Sequence, residues 1–197
     1  MGIMNMQDTI GKGVINKAYG TGNESVNAGS TSNLGNSTGM ASGTNGQVSV
    51  SYRGRENPYG NIWAFVNGVS IWGDGTKRGG IPYIATGFTF TESTKIGYES
   101  AGFTISNNDG YISAMGYGNP DYDWIFFASE TSGNSSLPVG DCLYKTINLN
   151  TYRVALLGGS WSTGLFAGSF CWTLADAPSH RRRNLGGRAA FIPSQTT

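Results

Sequence analysis

Between Val154 and Phe191 the chain runs VALLGGSWSTGLFAGSFCWTLADAPSHRRRNLGGRAAF, and the glycines of this stretch constrain the fold more than any other feature. Gly158-Gly159, Gly164, Gly168 and Gly186-Gly187 permit positive φ and close backbone approach, so the segment must turn sharply several times and is not one helix. Apolar runs lie at its two ends. Val154-Ala155-Leu156-Leu157 has the pattern of a strand buried on both faces, and Arg188-Ala189-Ala190-Phe191-Ile192 that of a second, closing strand. Between them the side chains are free to differ: Trp161, Ser162, Thr163, Leu165, Phe166, Cys171, Trp172, Thr173, Ala175, Asp176, Ser179, His180, Arg181, Arg182 and Arg183. Aromatic and arginine groups on irregular loops have the composition of a binding face. These residues are the expected ligand-contact set, held outward by glycine corners.

Glycine contributes 31 of the 197 residues, about twice its usual share, which favours turns, short strands and packed loops over long helices. Hydrophobic residues at 38% and aromatics at 12% supply the core of one compact domain with appendages. A formal charge of +1 lacks the broad positive field that nucleic-acid binding needs. The local cluster Arg181-Arg182-Arg183 is either a solvated loop or an anion-attracting patch. No window approaches a membrane span, and the opening MGIMNMQDTIGKG has neither the basic start nor the apolar stretch of a secretory signal. Cys142 and Cys171 sit in separate segments without metal-ligand spacing, and free thiols are expected.

Residues 1 to 46 are dominated by Gly, Asn, Ser and Thr and are expected to be an attachment arm, flexible unless neighbours order it. Order is expected from Gln47, where alternation to Tyr52 predicts a half-buried strand. Ile62 to Val66 and Val69 to Trp72 flank Asn67-Gly68, which predicts a hairpin closed by a two-residue turn. Ile81 to Ala85 is extended. Peripheral strands with turns at Gly97 and Gly102 follow, then a strand over Tyr111 to Met115. Asp121, Asp123 and Glu130 surround Trp124-Ile125-Phe126-Phe127; the carboxylates lack a calcium-loop pattern and fit turn caps beside a buried strand. Cys142 to Tyr144 predicts a short strand.

Common catalytic arrangements are missing from the sequence. The single histidine, His180, lies in an arginine run with no Cys-His or Ser-His-Asp pattern around it, and no phosphate-binding glycine loop or dinucleotide fingerprint occurs. Enzyme activity is not expected, nor a metal or other cofactor.

Three blocks then resemble a known family. SYRGRENPYGNIW from Ser51 to Trp63 resembles a block of phage and prophage structural proteins, and DWIFFASE from Asp123 to Glu130 resembles their D-W-L-F-x-P-S-E block, with Ala128 where proline is usual. The terminal G-G-S-W-x-x-G-x-x-A-G-x-F, A-P-S and N-x-G-G-R pattern is similar to the ligand-binding segment of the C-type-lectin-like, formylglycine-generating-enzyme-like fold. Such segments are the targets of diversity-generating retroelements.

That resemblance, spanning about Gly46 to Ile192, implies an α+β, strand- and loop-rich C-type-lectin-like domain over residues 47 to 197, preceded by the arm. It implies a tolerant segment in which Ser179 to Asn184 is a diversified asparagine-rich template and Cys171 replaces a tyrosine. It also implies a virion-surface adhesin, on a tail or head fibre, that binds a host cell-surface protein or glycan. The arm would contact other virion structural proteins, and by analogy with phage fibres the assembly would be a homotrimer. Calcium-dependent sugar binding is not implied, because Glu56-Asn57-Pro58 has the wrong order and lies far from the terminal segment. The rival is a capsid- or tail-decoration or fibre protein without ligand recognition, with its terminal aromatics and arginines buried between subunits. An enzyme of the formylglycine-generating type ranks third.

Overall fold

The structure of the protein, a computed structural model, describes residues 13, 25–42, 48–73, 79–91, 93–133, 141–145 and 151–187. Strands make up 35% of it and helices 6%, so sheets and the loops between them define the architecture. The helical part of the α+β expectation consists, among the described residues, of single 3-10 turns at Ser32–Leu34, Pro120–Tyr122 and Gly164–Phe166.

The strands in chain order are β1 (Gly39–Met40), β2 (Val50–Tyr52), β3 (Arg55–Glu56), β4 (Trp63–Trp72), β5 (Ile81–Ala85), β6 (Tyr98–Ser100), β7 (Gly110–Tyr111), β8 (Ala114–Met115), β9 (Ala128–Glu130), β10 (Cys142–Lys145), β11 (Tyr152–Leu157), β12 (Trp172–Asp176) and β13 (Leu185–Gly186). The main sheet has eight strands in the order β6-β5-β4-β11-β12-β10-β7, with β13 alongside β4. Its pairs are antiparallel except β10 with β12 and β13 with β4. Smaller sheets join β1-β2-β3 and β8-β9.

The two long apolar runs occupy the centre of this sheet, as hydrophobicity demands. Val154, Ala155 and Leu156 of β11 are buried in succession, the pattern of a strand covered on both faces. Alternate residues serve two cores. Ala155, Leu143, Trp172 and Leu174 point to the larger one, which the loop residues Ala101, Ile105, Ile112, Ile125 and Phe127 cover. Leu156, Cys142 and Cys171 point to a smaller one with Trp63, flanked by Tyr111, Tyr144 and Leu185. The second face is only partly covered.

Three strand expectations are corrected. Asn67-Gly68 does not close a hairpin: residues 63 to 72 are one strand, and β11 pairs along both halves, from Trp72↔Tyr152 to Ser70↔Val154 and from Val66↔Ala155 to Ala64↔Leu157. The intervening residues form a bulge with Gly68 at φ +77°. Burial of Trp63, Val69 and Ile71 in a central strand outweighs the local turn preference. The two-residue turn with both φ positive lies instead at Arg53-Gly54, joining Tyr52↔Arg55. The strand expected over Tyr111 to Met115 splits into β7 and β8. Between them Ile112 is buried in the larger core, and Ile112 N–H donates to Asp141 O while Ser113 N–H donates to Glu130 O, so the chain changes sheets there.

The run Trp124 to Phe127 is not a buried strand either. Ile125 and Phe127 are buried, Trp124 and Phe126 face solvent, and β9 starts at Ala128. Asp121 and Asp123 do mark a turn, but its capping acceptor is Asn119 Oδ1, 3.1 Å from Asp121 N. The run from Arg188 to Ile192 lies outside the described residues, and the parallel partner of β4 is Leu185-Gly186. Within the expected arm, residues 25–42 are tied to the block Ser51 to Trp63. Glu56 accepts from the Gly29 and Thr31 N–H groups and the Thr31 hydroxyl, Asn61 exchanges two hydrogen bonds with the Val26 backbone, and β1 pairs with β2.

Candidate functional site

The terminal segment is pinned to the first strand block before it reaches the surface. Gly60 N–H donates to Gly158 O, Trp161 N–H to Asn61 O, and Trp63 N–H to Asn184 O, at 2.9, 3.0 and 2.8 Å. Between these anchors the chain leaves the end of β11, makes the 3-10 turn at Gly164–Phe166, returns through β12 and loops back to β13. Two glycines make the path possible. Gly159 has φ +81°, and a Cβ there would lie 2.6 Å from the Ala167 Cβ; a Cβ on Gly168 would lie 1.8 Å from Asp141 Oδ1.

On the partly covered face of the sheet this route encloses a solvent-open groove of about 420 Å³. Trp63, Tyr144, Thr173, Ala175, Asp176 and Leu185 contribute strand positions, Ser162, Thr163 and Phe166 the turn, and Arg182 and Asn184 the loop before β13. The aromatic wall is continuous: Trp63 meets Tyr144 edge-on at 6.4 Å, Tyr144 meets Phe166 at 6.3 Å, and Phe166 meets Tyr111 at 5.3 Å. The first two are edge-to-face and the third tilted, and such ring contacts fix orientation and contribute beyond buried area. Desolvation raises the Tyr111 hydroxyl above its ordinary value and the Tyr144 hydroxyl well above it.

A charged cluster adjoins that wall at the groove. Asp176 is 4% exposed, and its Oδ1 lies 2.7 Å from His180 Nδ1 and 3.4 Å from Arg182 Nη1. A buried carboxylate needs such partners, which accounts for a histidine and an arginine at these spacings. Arg182 is more than half exposed, so the buried acid orients a cation whose other side meets solvent.

The expected contact set therefore divides. Ser162, Thr163, Phe166, Thr173, Ala175, Asp176 and Arg182 line the groove; His180 stands behind Arg182 on Asp176; Ser179, Arg181 and Arg183 are exposed beside it. Leu165 lies in the 3-10 turn of the rim. Trp161, Cys171 and Trp172 are corrected: all three are buried, not outward-facing. Trp172 packs on Phe127 at 4.5 Å and donates its indole N–H to Phe126 O at 2.9 Å, and Cys171 is fully enclosed. For Trp172, side-chain parity along β12 decides this, because 172 and 174 point to the larger core while 173 and 175 face the groove; Cys171, just before the strand, packs into the smaller core with Trp63 and Cys142. Trp63, Tyr144, Asn184 and Leu185 are not among the expected contact residues. Trp63 and Tyr144 lie far away in sequence, and only strand adjacency brings them in; Leu185, beside Asn184, carried no signal beyond its place in the terminal segment.

Asp141 sits behind the turn. Burial raises its carboxyl to about 6, partly offset by the hydrogen bond it accepts from Phe170 N–H. Cys142 and Cys171 are free and share the smaller core; burial, with the Asp141 charge nearby, pushes Cys142 up to about 12 and Cys171 well above its ordinary value. Thiols so protonated are poor nucleophiles. Among the described residues, no group of three or more His, Cys, Asp or Glu is placed to hold a metal ion, and no helix is long and apolar enough to cross a membrane. Comparison with family models, curated proteins and solved structures finds no match for this chain.

Proposed function

We propose that the chain is a virion-surface adhesin of the C-type-lectin-like, retroelement-diversified kind, and that the groove between Phe166 and Arg182 takes a host cell-surface molecule. One observation carries this reading: the floor of the groove is built from strands fixed by two cores, while its rim carries Ser162, Thr163, Phe166 and Arg182 on a path set by backbone bonds and glycines. Side chains on such a rim exchange without disturbing the scaffold, which is what a diversified binding surface needs. The groove is within the size range of small-ligand clefts and combines aromatic walls with a few polar groups. Residues 1 to 46 would attach the chain to other virion proteins, and assembly as a homotrimer would multiply weak contacts by about 10² to 10⁴ in avidity.

The test is adsorption of purified protein to cells of the bacterial host. Phe166→Ala and Arg182→Ala alter rim groups and are expected to weaken attachment by about tenfold or more while each variant still unfolds in one cooperative transition. Full adsorption by both variants would sink the site assignment. In the parent genome, a reverse transcriptase gene and a near-copy of the 154 to 191 coding segment, differing mainly at adenines, are expected.

A further inference from the structure

A second hollow, of about 200 Å³, lies away from the groove, where the loop carrying Phe126 meets the end of the terminal turn. Tyr117, Phe126 and Phe170 supply rings, Met115 and Ile125 the apolar base, and Asp123 a carboxylate. Phe126 and Phe170 meet edge-on at 5.3 Å with a 70° interplanar angle, forming two walls of a corner. Tyr117 is 74% exposed and Phe126 50%, unusual exposure for aromatic side chains beside a core that could have taken them.

The core does not leave these rings outside through looseness. Trp172 Nε1 donates to Phe126 O, Ile125 is buried, Gly116 N–H donates to Phe127 O, and Phe170 N–H donates to the buried Asp141 carboxylate. The backbone of each wall is thus held before any ligand arrives, which removes ordering cost from binding.

We propose that this hollow binds a choline-type quaternary ammonium group. The faces of aromatic rings attract a cation, most strongly when it is weakly hydrated, and a nearby carboxylate adds charge of the right sign. A quaternary ammonium has no N–H to satisfy, which suits a site made of rings and one carboxylate rather than a set of hydrogen-bond acceptors. No Lys or Arg is among the residues that line it. The volume falls below that of ordinary drug-sized clefts and suits a headgroup rather than a chain segment. This site is independent of the groove, and neither reading needs the other.

Titration calorimetry with choline chloride, and in parallel with its uncharged carbon isostere 3,3-dimethylbutan-1-ol, tests it. Choline is expected to bind about tenfold or more tightly than the isostere. Asp123→Asn, at an exposed position, is expected to weaken choline binding several-fold without changing the melting temperature, and Phe126→Ala to abolish it. Tyr117→Ala supplies the same readout should Phe126→Ala fail to fold. Absence of choline binding, equal binding of the isostere, or undiminished binding by the ring variants overturns the proposal. Tighter binding of a trimethyllysine peptide than of choline would overturn the small-headgroup assignment.

Discussion

Gly168 and Asp141 show how one contact shapes the terminal turn. The carboxylate lies where a side chain on residue 168 would begin, so Gly168→Ala must displace a buried, hydrogen-bonded acid. We expect this substitution to lower stability by about 1 to 3 kcal/mol in a urea titration. The acid itself makes stability depend on pH. Its folded-state pKa is raised from 3.8 to about 6, so the folded chain holds the proton more tightly than the unfolded chain. That contribution is fully present below about pH 4 and is lost as pH rises to about 6, at most about 3 kcal/mol in all. Asp141→Asn keeps an acceptor for Phe170 N–H but cannot ionise. Relative to the parent chain it is expected to gain stability between pH 4 and 6 and to keep that gain at pH 7; a constant difference across this range would exclude the buried-acid account.

At the scale of elements, β4 and β12 do the organising. β4 carries the bulge in which Gly68 adopts φ +77°, with Ala85 Cβ 3.3 Å from where a new Cβ would sit. Gly68→Ala is expected to cost about 1 to 2 kcal/mol of unfolding free energy, since an L-residue there takes a left-handed conformation. Were Asn67-Gly68 a hairpin turn, exchanging it for another strong turn pair would be harmless. β12 divides its residues between core and groove, so the two faces predict opposite phenotypes. Trp172→Ala removes a core indole and its bond to Phe126 O, and is expected to lose about 3 to 5 kcal/mol of stability by thermal melting. Thr173→Ala, on the groove face, should alter binding with a far smaller change in stability.

For the molecule as a whole, the groove rests on chain segments that are remote in sequence. Trp63 comes from the first block, Tyr144 from β10, Phe166 from the turn and Arg182 from the loop before β13. The polar residues of the block Ser51 to Trp63 have a further task, since Glu56 and Asn61 fasten residues 25 to 31 against it. Glu56→Ala leaves the Gly29 and Thr31 donors without their acceptor and is expected to raise amide exchange at those positions by about tenfold or more, measured by hydrogen-exchange mass spectrometry. Groove variants should leave that exchange unchanged, because none of their side chains touches this clamp.

What the amino-acid sequence determined by itself is local and apolar: the buried run Val154 to Leu157, the extended Ile81 to Ala85, the short strand at Cys142 and the turns at Gly97 and Gly102 follow from residue patterns alone. So does the placing of Ser162, Thr163, Phe166 and Arg182 on a turning, glycine-cornered segment. Tertiary structure decided which aromatic groups face outward. Trp161 and Trp172 carried the same signal as Phe166, yet strand parity sends Trp172 inward, and Trp161, bonded to Asn61, is buried as well. Gly68 has a positive φ but Asn67-Gly68 closes no hairpin, because neighbouring strands on both sides of β4 supply more pairing and burial than a two-residue turn can offset.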